Sequence, residues 1–361
     1  MKNQFPSSMV LLNIILFVFI SNETCSQVQE TMVQNFQFTR AWEPNEQAAS
    51  VLMPAGWQIL GGVFRLEPYD AGEANAYLAK VDLDLRSDKD GTHMIHWCPS
   101  WIYLGNNGMS GGMMYGMEVF GPLTPEEYLA EVVFPAEHPD AQNGKILDSK
   151  KLERHLDIYR QKLGSLANQV GLDGDIITVE YEENGIKYRE KMMTIIMYNQ
   201  TMAGVIWANL DTKTIRAPAN QFDQWEPVFD IIANSVELNP RWEANENALR
   251  NQIAAASMQN QQTYQYQGSG SGSGNELGDM IMDGWQKREV SSNSVYDSWN
   301  LNFNEFQNYT NPHTGDMEIG SNELDYRWIN TQGDVYYSND PGFDPNAELN
   351  ATDFQLSSPG R

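Results

Sequence analysis

The chain has 361 residues, of which 41% are hydrophobic and 11% aromatic. It is long enough for two ordinary domains and too apolar to stay unfolded throughout. A formal net charge of −25 argues against roles that depend on attraction to a nucleic-acid duplex or an anionic bilayer, because both would repel it.

The N-terminus opens with Lys2 and a nearly unbroken apolar run, Met9 to Ile20. The run is too short for a comfortable membrane span, which needs about 20 residues, and it fits the apolar region of an export signal. Small residues at Thr24 and Ser26 place cleavage near Ser26 or Gln27, which gives a signal peptide over 1–26. The expected location is secreted or periplasmic, with no transmembrane span after signal removal. A lipid anchor at Cys25 is the alternative, although Asn22 and Thr24 stand where a lipidation motif wants a Leu-like and a small residue. The chain has two cysteines, so removal of the signal leaves Cys98 alone and permits no internal disulfide.

Residues 27–48 read as a polar leader, and an α+β domain is expected over 49–240. Val51 to Leu66 reads as strand, turn at Pro54 to Gly56, and strand. Between Ala76 and Leu85, Tyr77, Ala79, Val81, Leu83 and Leu85 share one face of a half-buried strand. The turn SDKDG (87–91) then returns the chain through Thr92 to Trp97 as a hairpin. A Gly- and Met-rich loop covers 105–116. Thr124, Pro125 and Glu127 form the capping-box start of a helix. A second helix is expected from about Ser149 to Val170. The basic run Lys145 to Lys162, interleaved with Glu153 and Asp157, reads as a solvated helix face, not a nucleic-acid stripe. Strands over 176–182, 186–197 and 204–210 follow, with Asn184-Gly185 as a hairpin turn. A helix from about Gln221 to Ala233 follows, and Ser235 to Leu238 closes the unit. The pattern predicts a largely antiparallel sheet with flanking helices.

Residues 241–262 read as a polar spacer helix outside any core. The segment 263–276, with GSGSGSG inside it, reads as a flexible linker. The remainder, 277–361, is dense in aromatics and turn signals and predicts a small all-β C-terminal module.

The segment VLMPAGWQILGGVFR, the turn SDKDG, the Gly-rich loop and the tail TNPHTGDMEIGSNELDYRWINTQGDVYYSNDPGFDPN together resemble a recurrent group of bacterial secreted proteins. WEPVFDIIANSVELN (225–239) is similar to the closing helix and strand of the PsbP-like α+β fold. That second resemblance implies a domain that binds or acts as an adaptor.

Chemistry-bearing residues are few. In HMIHWC, strand alternation puts His96 and Cys98 on one face and His93 on the other, so at most two metal ligands converge locally. Side chains two apart on a strand start about 6.5 to 7 Å apart, which makes a direct Cys–His hydrogen bond awkward and favours a structural role for Cys98. The loop 105–116 lacks the ending of a phosphate loop, and no GxSxG elbow surrounds Ser110. Asp82 and Asp84 share the polar face of their strand, but the spacing around them fails the calcium-loop pattern. No cofactor and no metal are expected. Candidate ligand-binding residues are the tail aromatics Trp299, Tyr326, Trp328, Tyr336 and Tyr337, which offer flat apolar faces, and the soft Met113 and Met114 of the loop.

The sequence therefore predicts a secreted or periplasmic non-enzymatic binding protein. Its partner is expected to be an unknown protein or a cell-envelope or carbohydrate surface. The alternative is a secreted hydrolase with a site near His96, Cys98 and the loop 105–116.

Overall fold

A computed structural model describes residues 35–67, 73–76, 79–105, 111–114, 117–201, 204–249, 252, 306–321 and 324–359. The expected signal segment, the expected linker, Ser110 and Trp299 lie outside the described residues. In chain order, β1 (Asn35–Trp42), β2 (Ala49–Pro54), β3 (Gln58–Phe64), β4 (Lys80–Arg86), β5 (Met94–Cys98), β6 (Ile102–Gly105), β7 (Met113–Met114) and β8 (Met117–Val119) lead into a helical stretch from Pro125 to Glu137. Then come β9 (Gln142–Lys151), the helix Glu153–Leu163, β10 (Gly171–Glu183), β11 (Ile186–Thr201), β12 (Gly204–Pro218), the helix Phe222–Asn234 and β13 (Glu237–Leu238). The late strands are β14 (Phe306–Thr310), β15 (Met317–Ser321), β16 (Tyr326–Ile329), β17 (Val335–Ser338), β18 (Gln355–Leu356) and β19 (Ser358–Pro359).

The largest sheet runs β3-β4-β5-β12-β11-β10-β9, with β6 also paired to β12. These pairings are antiparallel. Asn184 and Gly185 join β10 to β11 with φ of 53° and 76°, the two positive values that a tight hairpin turn matching strand twist requires. Alternation sorts β4 cleanly: Val81, Leu83 and Leu85 are buried and Asp82 is not.

Both faces of this sheet are covered. Leu83, Leu85, Ile95, Trp97 and Ile215 share one core with Phe229 and Ile232 of the helix Phe222–Asn234. Tyr181, Tyr188, Met192 and Trp207 share a second core with Tyr128, Leu129 and Val133 of the stretch 125–137. The result is an α+β fold built on antiparallel sheet with flanking helices.

A second sheet runs β13-β2-β1-β17-β16-β18, and a third runs β15-β14-β19. Residues 35–42, expected in the loose leader, are thus a central strand. Phe38 on β1 is fully buried and meets Tyr337 edge-on, with ring centroids 6.0 Å apart. Residues 326–338 likewise hydrogen-bond into a sheet with residues 35–54.

Two helix expectations shift. Ser149 to Lys151 finish β9, and the helix begins only at Glu153. The apolar period of Leu156, Tyr159 and Leu163 is real, but the charged residues before it pair along a strand edge. The helix over 240–249 is not a bare spacer: the Trp242 indole donates to Glu46 at 2.6 Å, and Arg65 pairs with the buried Glu246 at 2.8 Å.

Candidate functional site

β5 lies between β4 and β12, with His96 opposite Asp84 on one side and Thr214 on the other. The pleat sends Ile95 and Trp97 into the first core and His96 and Cys98 to the opposite face. Asp82 and Asp84 alternate onto that same face from β4. The last component comes from a distant element. The stretch 125–137 starts on a complete capping box, in which Thr124 accepts from the Glu127 amide and Glu127 accepts from the Thr124 amide. It widens to a π turn over Leu129–Val133 and ends as Phe134–Glu137. Pro135 has no amide hydrogen to continue a regular ladder, which suits the interruption before it. Glu137 at its end reaches His96.

His96 is the hub. Its Nε2 lies 2.8 Å from Asp82 Oδ1 and its Nδ1 lies 2.8 Å from Glu137 Oε2. Asp84 Oδ1 is 3.8 Å from Nδ1 and Cys98 Sγ is 3.6 Å from it. Asp84 is also paired with Arg86. Burial disfavours a charged imidazole, but the hydrogen bonds to Asp82 and Glu137 work against it and hold His96 above its ordinary value. Both of its N–H groups then donate to carboxylates, and neither nitrogen has a free lone pair. Burial pushes the Cys98 thiol up to about 11 against the pull of His96, so at neutral pH the sulfur carries its proton. The ligand atoms of His96, Cys98 and Glu137 lie within 4.8 Å of one another. The cluster opens outward through Asp82, whose side chain is 56% exposed, and Glu137, at 24%.

The alternation of HMIHWC correctly pairs His96 with Cys98 and separates His93, whose ring lies tilted against Trp225 with centroids 4.2 Å apart and contacts Gln221 at 2.9 Å. The separation expected between the His96 and Cys98 side chains is not kept, because both lean to a 3.6 Å contact. Glu137 carries no sequence signal, being 41 residues from His96.

The tail aromatics divide. Tyr337 is buried in the first core, against Phe38 and Tyr309. Tyr336 is buried between Phe343 and Phe354. Neither ring forms an exposed binding face. Trp328 packs partly buried against the Tyr336 cluster, and Tyr326 is half-buried. Met113 is exposed, while Met114 packs on the first core.

Two features have no counterpart in the sequence reading. His138 Nε2 lies 2.7 Å from the fully buried Glu190, which also accepts from the Tyr181 hydroxyl at 2.9 Å, and Arg216 donates to Glu183 at 2.7 Å beside them. This network is internal and ties β10, β11 and β12 to the end of the stretch 125–137. Separately, an open surface pocket of about 470 Å³ is lined by Leu123, Glu127, Tyr198, Gln200 and Val205 among others. The Tyr198 hydroxyl donates to the Leu123 carbonyl at 2.6 Å and Glu127 belongs to the capping box.

No protein-family model matches the chain, and no curated protein matches it. Among solved structures the chain is similar to LpqN, described as involved in cell envelope biogenesis of Mycobacterium tuberculosis, at 12% identity. The match covers 59% of this chain and 95% of LpqN with a TM-score of 0.22; so loose a superposition carries neither fold nor function across. No helix among the described residues is long and apolar enough to cross a membrane.

Proposed function

We propose that the chain is an exported, non-catalytic binding protein whose ligand enters the open pocket beside Tyr198. The apolar run Met9 to Ile20 supports export. One observation carries binding over catalysis: the ionisable groups of the pocket wall, Glu127 and Tyr198, are both engaged in holding that wall together. The lining mixes an aromatic ring, apolar side chains and amides, which suits a saccharide or peptide of the cell envelope. In this reading Tyr326 and Trp328, on the late strands that join the sheet of residues 35–54, face the partner.

A hydrolase is the second reading, favoured by the order Cys98 Sγ, His96 Nδ1, His96 Nε2, Asp82, which matches a thiol–imidazole–carboxylate relay. Against it, Glu137 occupies Nδ1 at 2.8 Å and the thiol keeps its proton.

Fractionation with intact-mass analysis tests export; the expected product begins near Ser26 or Gln27, and an unprocessed chain in the cell interior would remove that half of the proposal. Thermal shift against a panel of envelope oligosaccharides and peptides tests binding. At least one should raise the melting temperature of the wild type and leave Val205→Trp, which fills the pocket, unmoved. Ester or amide turnover that disappears in Cys98→Ala would replace binding with hydrolysis.

A further inference from the structure

We propose that His96, Cys98 and Glu137 bind one divalent transition-metal ion of the Zn²⁺ class, with Asp82 as the residue that orients His96 from behind. This ligand is separate from the pocket ligand and would be a second one for the same protein. HMIHWC by itself places only two ligands, His96 and Cys98, on one strand face. Glu137, delivered by the end of the stretch 125–137, supplies a third.

The donor set is one imidazole nitrogen, one sulfur and one carboxylate oxygen. That mixture suits zinc, cobalt and their neighbours, whereas calcium and magnesium take oxygen shells. Distances agree. A tetrahedral ion with bonds of about 2.1 Å to nitrogen and about 2.3 Å to sulfur holds those two atoms roughly 3.6 Å apart. His96 Nδ1 and Cys98 Sγ are 3.6 Å apart. The corresponding nitrogen–oxygen edge is roughly 3.3 Å, so Glu137, now hydrogen-bonded at 2.8 Å, needs to withdraw by about half an ångström. It is partly exposed at a helix end and has room to do so.

The far side of the imidazole is already arranged for a metal. Asp82 accepts from Nε2–H at 2.8 Å, which fixes the ring and leaves Nδ1 for the ion, the carboxylate–histidine–metal relay found behind metal-bound histidines. Binding exchanges the Nδ1 proton and the thiol proton for the ion, and both go to solvent. The thiolate and the Glu137 carboxylate then balance the dication. Asp82 and Asp84 add negative potential at the opening, which draws cations in.

The test is a Co²⁺ titration of the purified full chain after chelator treatment. One equivalent is expected, giving near-ultraviolet thiolate-to-cobalt absorption together with the visible bands of tetrahedral cobalt, both reversed by Zn²⁺. Cys98→Ser should lose the thiolate absorption, whereas Cys25→Ser should keep it. Asp82→Asn should weaken binding roughly 10–100-fold while leaving the spectrum intact, a pattern that a merely structural aspartate would not produce. X-ray absorption at the zinc edge of the loaded wild type needs no variant and should show one sulfur at about 2.3 Å. A shell of only nitrogen and oxygen, or cobalt binding without the thiolate band, overturns the proposal. So does no binding at all, which would leave the cluster as an ionic lock. An exported chain that fails this test removes the metal and keeps the binding role; a metal-binding chain found unprocessed inside the cell does the reverse.

Discussion

Lys80 has 2% of its surface exposed, and its amine sits among the Asn75 side chain at 3.3 Å, the Ser100 carbonyl and the Trp101 ring at 4.6 Å. None of these partners is anionic, and burial pushes the amine down to about 7. An unfolded lysine titrates near 10.4, so between about pH 7 and 10 the unfolded chain holds more protons than the folded one. Lys80 therefore makes stability rise with pH across that window, by up to roughly 1.4 kcal/mol per unit, and contributes no slope below it. Urea unfolding at about pH 7 and about pH 9.5 should show this rise in the wild type and its loss in Lys80→Met, which should also be the more stable of the two at the lower pH. Little of this was legible beforehand. A lysine beginning a strand looks solvated, and only the fold brings Asn75 and Ser100 around it. The same limit hid Glu137, while His96 and Cys98 were readable as a pair because alternation is a local rule.

Local rules also decided which elements could be read. The capping box at Thr124 and the turn at Asn184-Gly185 formed as their chemistry dictates, because each depends on a few adjacent residues. β1 did not announce itself, since Phe36 and Phe38 sit in an otherwise polar stretch and its burial comes from strands far along the chain. β9 looked helical because its lysines and acids have the spacing of a solvated helix, yet β10 offered it an edge. At this scale, Thr124→Ala should cost about 1 kcal/mol, measured by chemical denaturation. Glu127→Ala should also destabilise, and the double variant should lose more than either single one, because each side chain satisfies a different backbone amide.

Across the whole molecule, the contrast is between the linker-separated tail that composition suggested and the pairing of β1 with β17, in which Asn35 meets Ser338 and Phe38 meets Val335. A chain ending at residue 305 would leave one edge of β1 unpaired and Phe38 without Tyr337 beside it. Unpaired edges recruit other chains, so such a truncation should elute as oligomers on size exclusion and melt earlier than the full chain. A monomer with unchanged melting would restore the independent module. The same pairing also sets a timetable. Translation delivers β1 first and β17 roughly 300 residues later, and such distant contacts form late. Until then one edge of β1 lacks its strand partner. If the chain is exported as proposed, that late stitch would pin β1 only after residue 338 has crossed.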